Sequence, residues 1–346
     1  MSGHLFMGID IGTYGSKGVL CTAAGEVRAE HQVEHGLSVP RPGWAEHDAD
    51  AVWWADLCTI SRALLAKSGA TGDDVATIAT SALGADLVLL DAQGRALRPA
   101  ILYGIDTRSM QEIADLNAQF GADAMAELAG QYLTSQAIGP KILWVRRHEP
   151  HLFARTRYLC SGSSFLVYRL SGEYVLDYHS AGLFNPLFDL KNLAWSGRYA
   201  DAVSGDTPLP RLAWPAEVVG SVSAGAACQT GLRAGTPVTT GTIDAISEAI
   251  SVGVTRPGDL MMMYLWHTPY AFPGLYTIEA GMATTGALTR WFRDQFAQAE
   301  VAAQAAGGPN AYTVLTAEAA AVPPGSEGLV MLPYFSGERT PLNDPQ

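Results

Sequence analysis

Eight residues near the N-terminus, Asp10-Ile11-Gly12-Thr13-Tyr14-Gly15-Ser16-Lys17, combine the parts of an anion-binding loop. Gly12 and Gly15 let backbone N–H groups approach an anion closely, Thr13 and Ser16 add hydroxyl donors, and Lys17 adds positive charge. Asp10, at the end of an apolar run, is placed to hold a magnesium ion through water. The order is neither Gly-x-x-x-x-Gly-Lys-Ser/Thr nor Gly-x-Gly-x-x-Gly, so the two commonest nucleotide loops are excluded. A plain β-hairpin with a glycine turn explains the same residues equally well. A second aspartate, Asp244, closes Gly241-Thr242-Ile243-Asp244 where a strand-like run meets a helical one. It could take the proton of an attacking hydroxyl or cap the helix behind it. Spacing alone divides these two roles evenly.

Such groups need elements to hold them. Residues 5–11 read as a buried strand ending at Gly12, 16–22 as a second strand, and 27–33 as a third after the Ala23-Ala24-Gly25 turn. That antiparallel meander is unlike the strand–helix opening of a Rossmann unit. A helix is expected over 48–67, with Asp48 as N-cap, Asp50 in the first turn and Gly69 just past the end. Strands over 75–81 and 86–91 follow, then helices over 107–120, 141–147 and 163–170. Residues 195–214, rich in Gly, Pro and Ser, read as a loop. A strand at 237–240 leads into a helix over 245–252, with a hinge expected near 241–245. A strand at 259–264 and a helix at 285–296 complete the pattern. Trp44, Trp53 and Trp54 are expected in the core.

Composition sets the outer limits. The chain has 346 residues, 48% hydrophobic and 16% charged, enough for about two domains with a substantial core. Its net charge of −12 is spread along the chain, and no basic stripe offers a surface to nucleic acid or an anionic membrane. Apolar runs such as 260–266 fall far short of the ~20 residues of a membrane span. The N-terminus lacks the charged segment and cleavage site of a signal peptide. The four cysteines form no Cys-x-x-Cys pair and read as buried reduced thiols of a cytoplasmic protein, and the eight histidines show no zinc spacing.

Several segments, in order, carry a resemblance. They are Gly8-Ile9-Asp10-Ile11-Gly12-Thr13, residues 87–108 (LVLLDAQGRALRPAILYGIDTR), 174–180 with 189–196, and Gly241-Thr242-Ile243-Asp244-Ala245. Arg256-Pro257-Gly258-Asp259, residues 281–286 and residues 332–344 (LPYFSGERTPLND) continue it. Together these resemble the FGGY family of carbohydrate kinases. The resemblance implies an α/β actin-like ATPase (ribonuclease H-like) fold with two domains around a cleft, the second incomplete. Residues 1–243 would be the sugar-binding domain, and 244–346 the start of the ATP-binding one. The implied reaction is ATP-dependent phosphorylation of a sugar or polyol hydroxyl, with ATP and Mg2+ as cofactors. Asp244 would be the general base, Asp10 the metal residue, and Gly12, Thr13, Gly15, Ser16 and Lys17 the phosphate contacts. Asp106 and Arg108 fall on the sugar side with Gly84 and Ala85, although a helix cap explains the first two as well. Lys141 reads either as a cleft residue or as a surface lysine at a helix start. The resemblance also makes a homodimer reasonable.

The sequence departs from that family in three places. Residues 82–86 (Ala-Leu-Gly-Ala-Asp) stand where many relatives carry a polar Gln-Met-His-like sugar contact, which leaves a pocket with fewer large side chains. A Gly-Thr-Ser-like second phosphate loop is expected after 259–264, yet Tyr264 runs directly into Leu265-Trp266-His267. Either the protein lacks that loop, or the residues as written skip it. Relatives also extend beyond the position of Gln346 into a Gly-rich adenosine site, so these residues alone are expected to be inactive as a kinase. A non-catalytic sugar-binding or regulatory relative is the alternative, and a chaperone- or filament-type ATPase a third reading that the sugar-side segments disfavour.

Overall fold

In the computed structural model, residues 5–259, 267–278, 285–323, 325–329 and 331 are described. The expected meander forms with nearly the expected ends. Strand β1 (Leu5–Ile11) pairs antiparallel with β2 (Gly15–Thr22), and β2 with β3 (Val27–Glu34). Alternate residues Met7, Ile9 and Ile11 of β1 are buried, the period-2 pattern that fixes register. After a short β4 (Glu46–His47), the Asp48 carboxylate caps the next helix by accepting from the Asp50 and Ala51 amides. That helix opens with π-type winding over Ala49–Trp54 and continues as α1 (Ala55–Ser68), ending at Gly69 in the left-handed region. Adjacent Trp53 and Trp54 both enter the core, their indole N–H groups donating to His47 and Gln229.

Strand β5 (Val75–Ala82) runs parallel to β1 and lies in the middle of the sheet. The sheet has seven strands, in the order Val218–Ser221, Pro237–Thr239, β5, β1, β2, β3, with Thr242–Ile243 pairing on the end of β5. Helix α1 packs on β2 and β3, and the helix Gly162–Ser171 packs on β5. One hydrophobic cluster gathers under this sheet around Trp53, Ile60, Ile78 and Phe165. A second, around Leu89, Ile142, Phe184 and Phe188, takes in Ala85, Leu87 and Ile101.

Differences from the sequence reading are local. The strand expected over 86–91 shortens to Val88–Leu90 because Asp86 turns inward. The helix expected from residue 107 begins at Met110, since Asp106 accepts from the Arg108 amide and makes a turn first. Within 195–214, a helix Ala200–Val203 and a strand Arg211–Ala213 form, the strand pairing with Val175–Asp177. Of the four cysteines, all free, Cys160 is buried whereas Cys228 is exposed. In the sequence Tyr264 is followed directly by Leu265. That junction, the 259–264 strand beyond Asp259, and residues 281–284 and 332–344 lie outside the described residues. Residues 1–279 form one compact unit and 280–346 another, in which Thr285–Phe296, Gln298–Ala305 and Ala311–Ala320 are helical.

Candidate active site

Register places the two aspartates. Asp10 pairs across to Ser81 of β5 on one side, and Thr242 pairs to the same Ser81 on the other. Asp10 and Asp244 therefore leave the same end of the sheet on strands flanking β5, roughly 10 Å apart at two strand spacings. Both line one cleft of about 710 Å³, together with Lys17, Thr80 and Ser81. Gly241 makes the turn before Asp244. Its φ is +69°, and a Cβ there would sit 2.2 Å from the Thr80 carbonyl oxygen. Asp177, capping the helix Tyr178–Leu183, accepts from the Ser180 amide and from the Thr242 hydroxyl at 2.9 Å, which pins this turn from below.

Asp244 starts the helix Asp244–Ser251, its Oδ1 accepting from the Ala245 amide at 2.8 Å. Burial first, and the Asp10 charge second, push its carboxyl up to about 7. Glu248 and Asp86 push the same way, and the Ala245 amide pulls back. A carboxyl half-ionised near neutrality and open to a cleft is suited to taking a proton. Asp10 pairs with Lys17 through Oδ2 at 3.5 Å, while its buried Oδ1 has no hydrogen-bond partner. That orphaned oxygen fits a cation, although among the described residues no three metal-ligating side chains gather.

In the loop between these strands, the Gly12 amide donates to the Gly15 carbonyl, and a Cβ at Gly12 would lie 2.9 Å from that oxygen. Thr13 exchanges a hydrogen bond with the Tyr103 hydroxyl at 3.0 Å. The Ser16 hydroxyl does not reach the open side. It is buried and donates to Asp56 at 2.6 Å, because position 16 faces α1.

The sugar-side residues divide. Gly84 lies against Ile243 of the Asp244 turn, and Ala85 is buried with φ +60°. Asp106 and Arg108 are fully buried and bind each other at 2.7 Å. Arg108 also pairs with Glu46 at 2.8 Å and stacks 4.0 Å over Trp44, while Asp106 accepts from the Ala45 amide. Their geometry is that of a brace behind the wall. Lys141, read ambiguously above, is wholly buried and donates to the Ala85 carbonyl at 2.7 Å. Asp86 beside it accepts from the Gly162 amide, and burial raises its carboxyl to about 7 against the pull of that amide and of Lys141. Tyr103, Asp56, Asp86 and Asp177 were not singled out by sequence. Asp86 and Asp177 fall within the 82–86 and 174–180 segments and Tyr103 within the sugar-side one, whereas Asp56 carried no local signal.

A central sheet that carries two aspartates at one end, with a glycine loop between β1 and β2, is the arrangement of the actin-like ATPase fold. Residues 5–251 match the FGGY family of carbohydrate kinases, N-terminal domain, and 255–346 match its C-terminal domain. The chain belongs to the FGGY family of carbohydrate kinases. It is 29% identical over 367 residues to an autoinducer-2 kinase of Salmonella typhimurium, covering 97% of this chain and 67% of that protein. The solved xylulose kinase from Rhodospirillum rubrum matches with a TM-score of 0.83 and 31% identity, over 98% of this chain and 71% of that one. A gluconate kinase from Lactobacillus acidophilus matches at 0.79 and 21%, over 99% and 71%, and shares the fold. Among the described residues no helix is long and apolar enough to cross a membrane.

Proposed function

We propose that the protein transfers the terminal phosphoryl group of ATP to a hydroxyl of a sugar or polyol, with Asp244 as general base. The observation that carries this is the pairing of Asp10 and Asp244 on strands flanking β5, in one cleft, with Asp244 held near 7. Asp244 accepts the proton of the attacking hydroxyl as its oxygen bonds to phosphorus. Thr13 and Gly15 offer backbone N–H groups to the phosphates, Gly12, whose own N–H is taken by the Gly15 carbonyl, shapes the turn, and Lys17 offers charge. Asp10, through its unpartnered Oδ1, would hold Mg2+, which when bound neutralises charge on the phosphates. The 82–86 segment and Tyr103 wall the acceptor, and its small side chains suit an acceptor bulkier than a simple pentulose. Residues 1–243 form the sugar-binding domain in this reading, 244–346 begin the ATP-binding one, and the site of action is the cytoplasm.

The test is ADP release by the full-length protein against a panel of pentuloses, hexuloses and polyols. One acceptor is expected to stand out, and Asp244→Asn to lower its kcat by about 10³-fold. An Asp244→Asn protein with wild-type turnover would remove the base from the mechanism. One observation favours a second reading, a sugar-binding relative without catalysis: the direct Tyr264–Leu265 junction. Calorimetric binding of a panel sugar with no ADP release, Mg-ATP present, would select it.

A further inference from the structure

We propose that His35 is a positioning residue for the phosphate loop, and that its doubly protonated ring is the form that holds the loop in shape. His35 follows the last residue of β3, its amide donating to the Tyr14 carbonyl at 3.1 Å, so the ring comes up directly beneath Gly12–Gly15. Nδ1 lies 2.8 Å from Asp56 Oδ2, and Nε2 lies 3.0 Å from the Gly12 carbonyl oxygen. A carbonyl can only accept. Asp56 also acts as an acceptor: its Oδ2 takes the Ser16 hydroxyl at 2.6 Å, a length typical of O–H donating to an ionised carboxylate. Neutral imidazole has one donor and imidazolium has two, so only the charged ring satisfies both partners.

The consequence reaches the anion through the peptide plane. In a trans peptide the C=O and the following N–H point in opposite directions. Tying the Gly12 carbonyl down to His35 turns the Thr13 N–H away from the ring, toward the open side of the loop. The ring also sets a positive charge under the loop, offset by Asp56. His47 of β4 meets His35 edge-on at 5.1 Å and is the other titratable group facing it besides Asp56 of α1. Trp53 donates to His47 Nδ1, and burial first, then His35, lower His47 to about 4, so this neighbour stays neutral and adds no rival charge. On β3 itself Glu34 pairs across to Gly15.

This rests on the phosphotransfer reading, and two independent measurements keep them apart. The first is long-range 1H–15N NMR of the histidine-labelled full chain through a pH titration. His35 is expected to show both nitrogens protonated on the acid side, with the Gly12 and Thr13 amide shifts moving together with its titration. A ring whose protonation leaves those amides unmoved, or one seen only as a neutral tautomer across the titration, would overturn the proposal whether or not the protein transfers phosphate. The second is KM for ATP against pH. In the wild type it should rise as His35 loses its proton, by about tenfold for one charged hydrogen bond. In His35→Gln, which keeps a single donor, it should be raised throughout and lose that pH step while kcat changes little. Parallel pH profiles for the two proteins would count against the role. A protein with no turnover at all would refute the phosphotransfer reading and leave the NMR result to decide His35.

Discussion

The phosphate hairpin and the sugar-side wall touch through Thr13 and Tyr103, yet they are held by different physics. The hairpin is built from neighbours in sequence: seven register pairs join β1 to β2, and two glycines shape the turn. Its braces, Ser16, Asp56 and His35, form a short polar chain with matched donors and acceptors. The wall is assembled from remote pieces, with Glu46, Arg98, Asp106, Arg108 and Glu149 gathered into a buried ion cluster between Trp44 and Trp144. A ladder loses strength one bond at a time, whereas a buried charge cluster is left unbalanced by the loss of one member. The hairpin should therefore give gradually and the wall abruptly.

The largest effect tests that contrast at its strong end. Arg108→Met keeps an apolar side chain beside Trp44 but leaves the buried Asp106 carboxylate without its cation, while Glu46 keeps Arg98, and should cost about 3–5 kcal/mol of stability. Urea unfolding measures it. Arg108→Met combined with Asp106→Asn should recover part of the loss, because one stranded charge is gone. If the single change costs no more than Ser16→Ala, about 1 kcal/mol for one hydrogen bond, the wall is not a cluster in this sense.

The same contrast explains what the sequence could reveal. The meander, the Gly12 turn and the 48–67 helix were legible because alternation, turn glycines and the Asp48 cap are all local signals. The wall was only half legible. Asp106 and Arg108 were found through a family motif, but their partners Ala45 and Glu46 lie about sixty residues away, and no spacing rule connects them. Ser16 stood in the loop by sequence, yet strand alternation turned its hydroxyl inward to Asp56. Lys141 was ambiguous because a charged residue at the start of a helix reads as exposed, and its hydrogen bond to the carbonyl of Ala85, in a left-handed turn, joins residues that no local pattern connects.

Between the two regions stands Asp86, and its effect is intermediate. Its carboxyl is raised to about 7, so the folded state binds its proton more tightly than the unfolded chain does. The stability this gives is complete below the unfolded value near 4 and is lost as pH rises through 7. Asp86→Asn keeps an acceptor for the Gly162 amide and removes the titration. It should be more stable than the wild type at pH 8 by about 2 kcal/mol, and no more stable at pH 4. Thermal unfolding at the two pH values reads this out. An equal difference at both would mean that packing, not ionisation, separates the proteins.

The smallest effect joins the regions directly. Thr13 in the hairpin and Tyr103 in the wall share one hydrogen bond of 3.0 Å. If the hairpin and the wall are otherwise separately supported, removing that bond should have a modest and strictly pairwise cost. Thr13→Val and Tyr103→Phe should each destabilise by about 1 kcal/mol, with a coupling of about 0.5–1 kcal/mol in the double-mutant cycle. The kinetic reading is sharper than the thermodynamic one. A bond that merely adds stability leaves the two KM values unrelated, whereas one that sets the spacing of loop and wall makes Tyr103→Phe raise KM for ATP, although Tyr103 belongs to the acceptor side. Coupling well above 1 kcal/mol would show the two regions to be one cooperative unit, and the division drawn between them would fall.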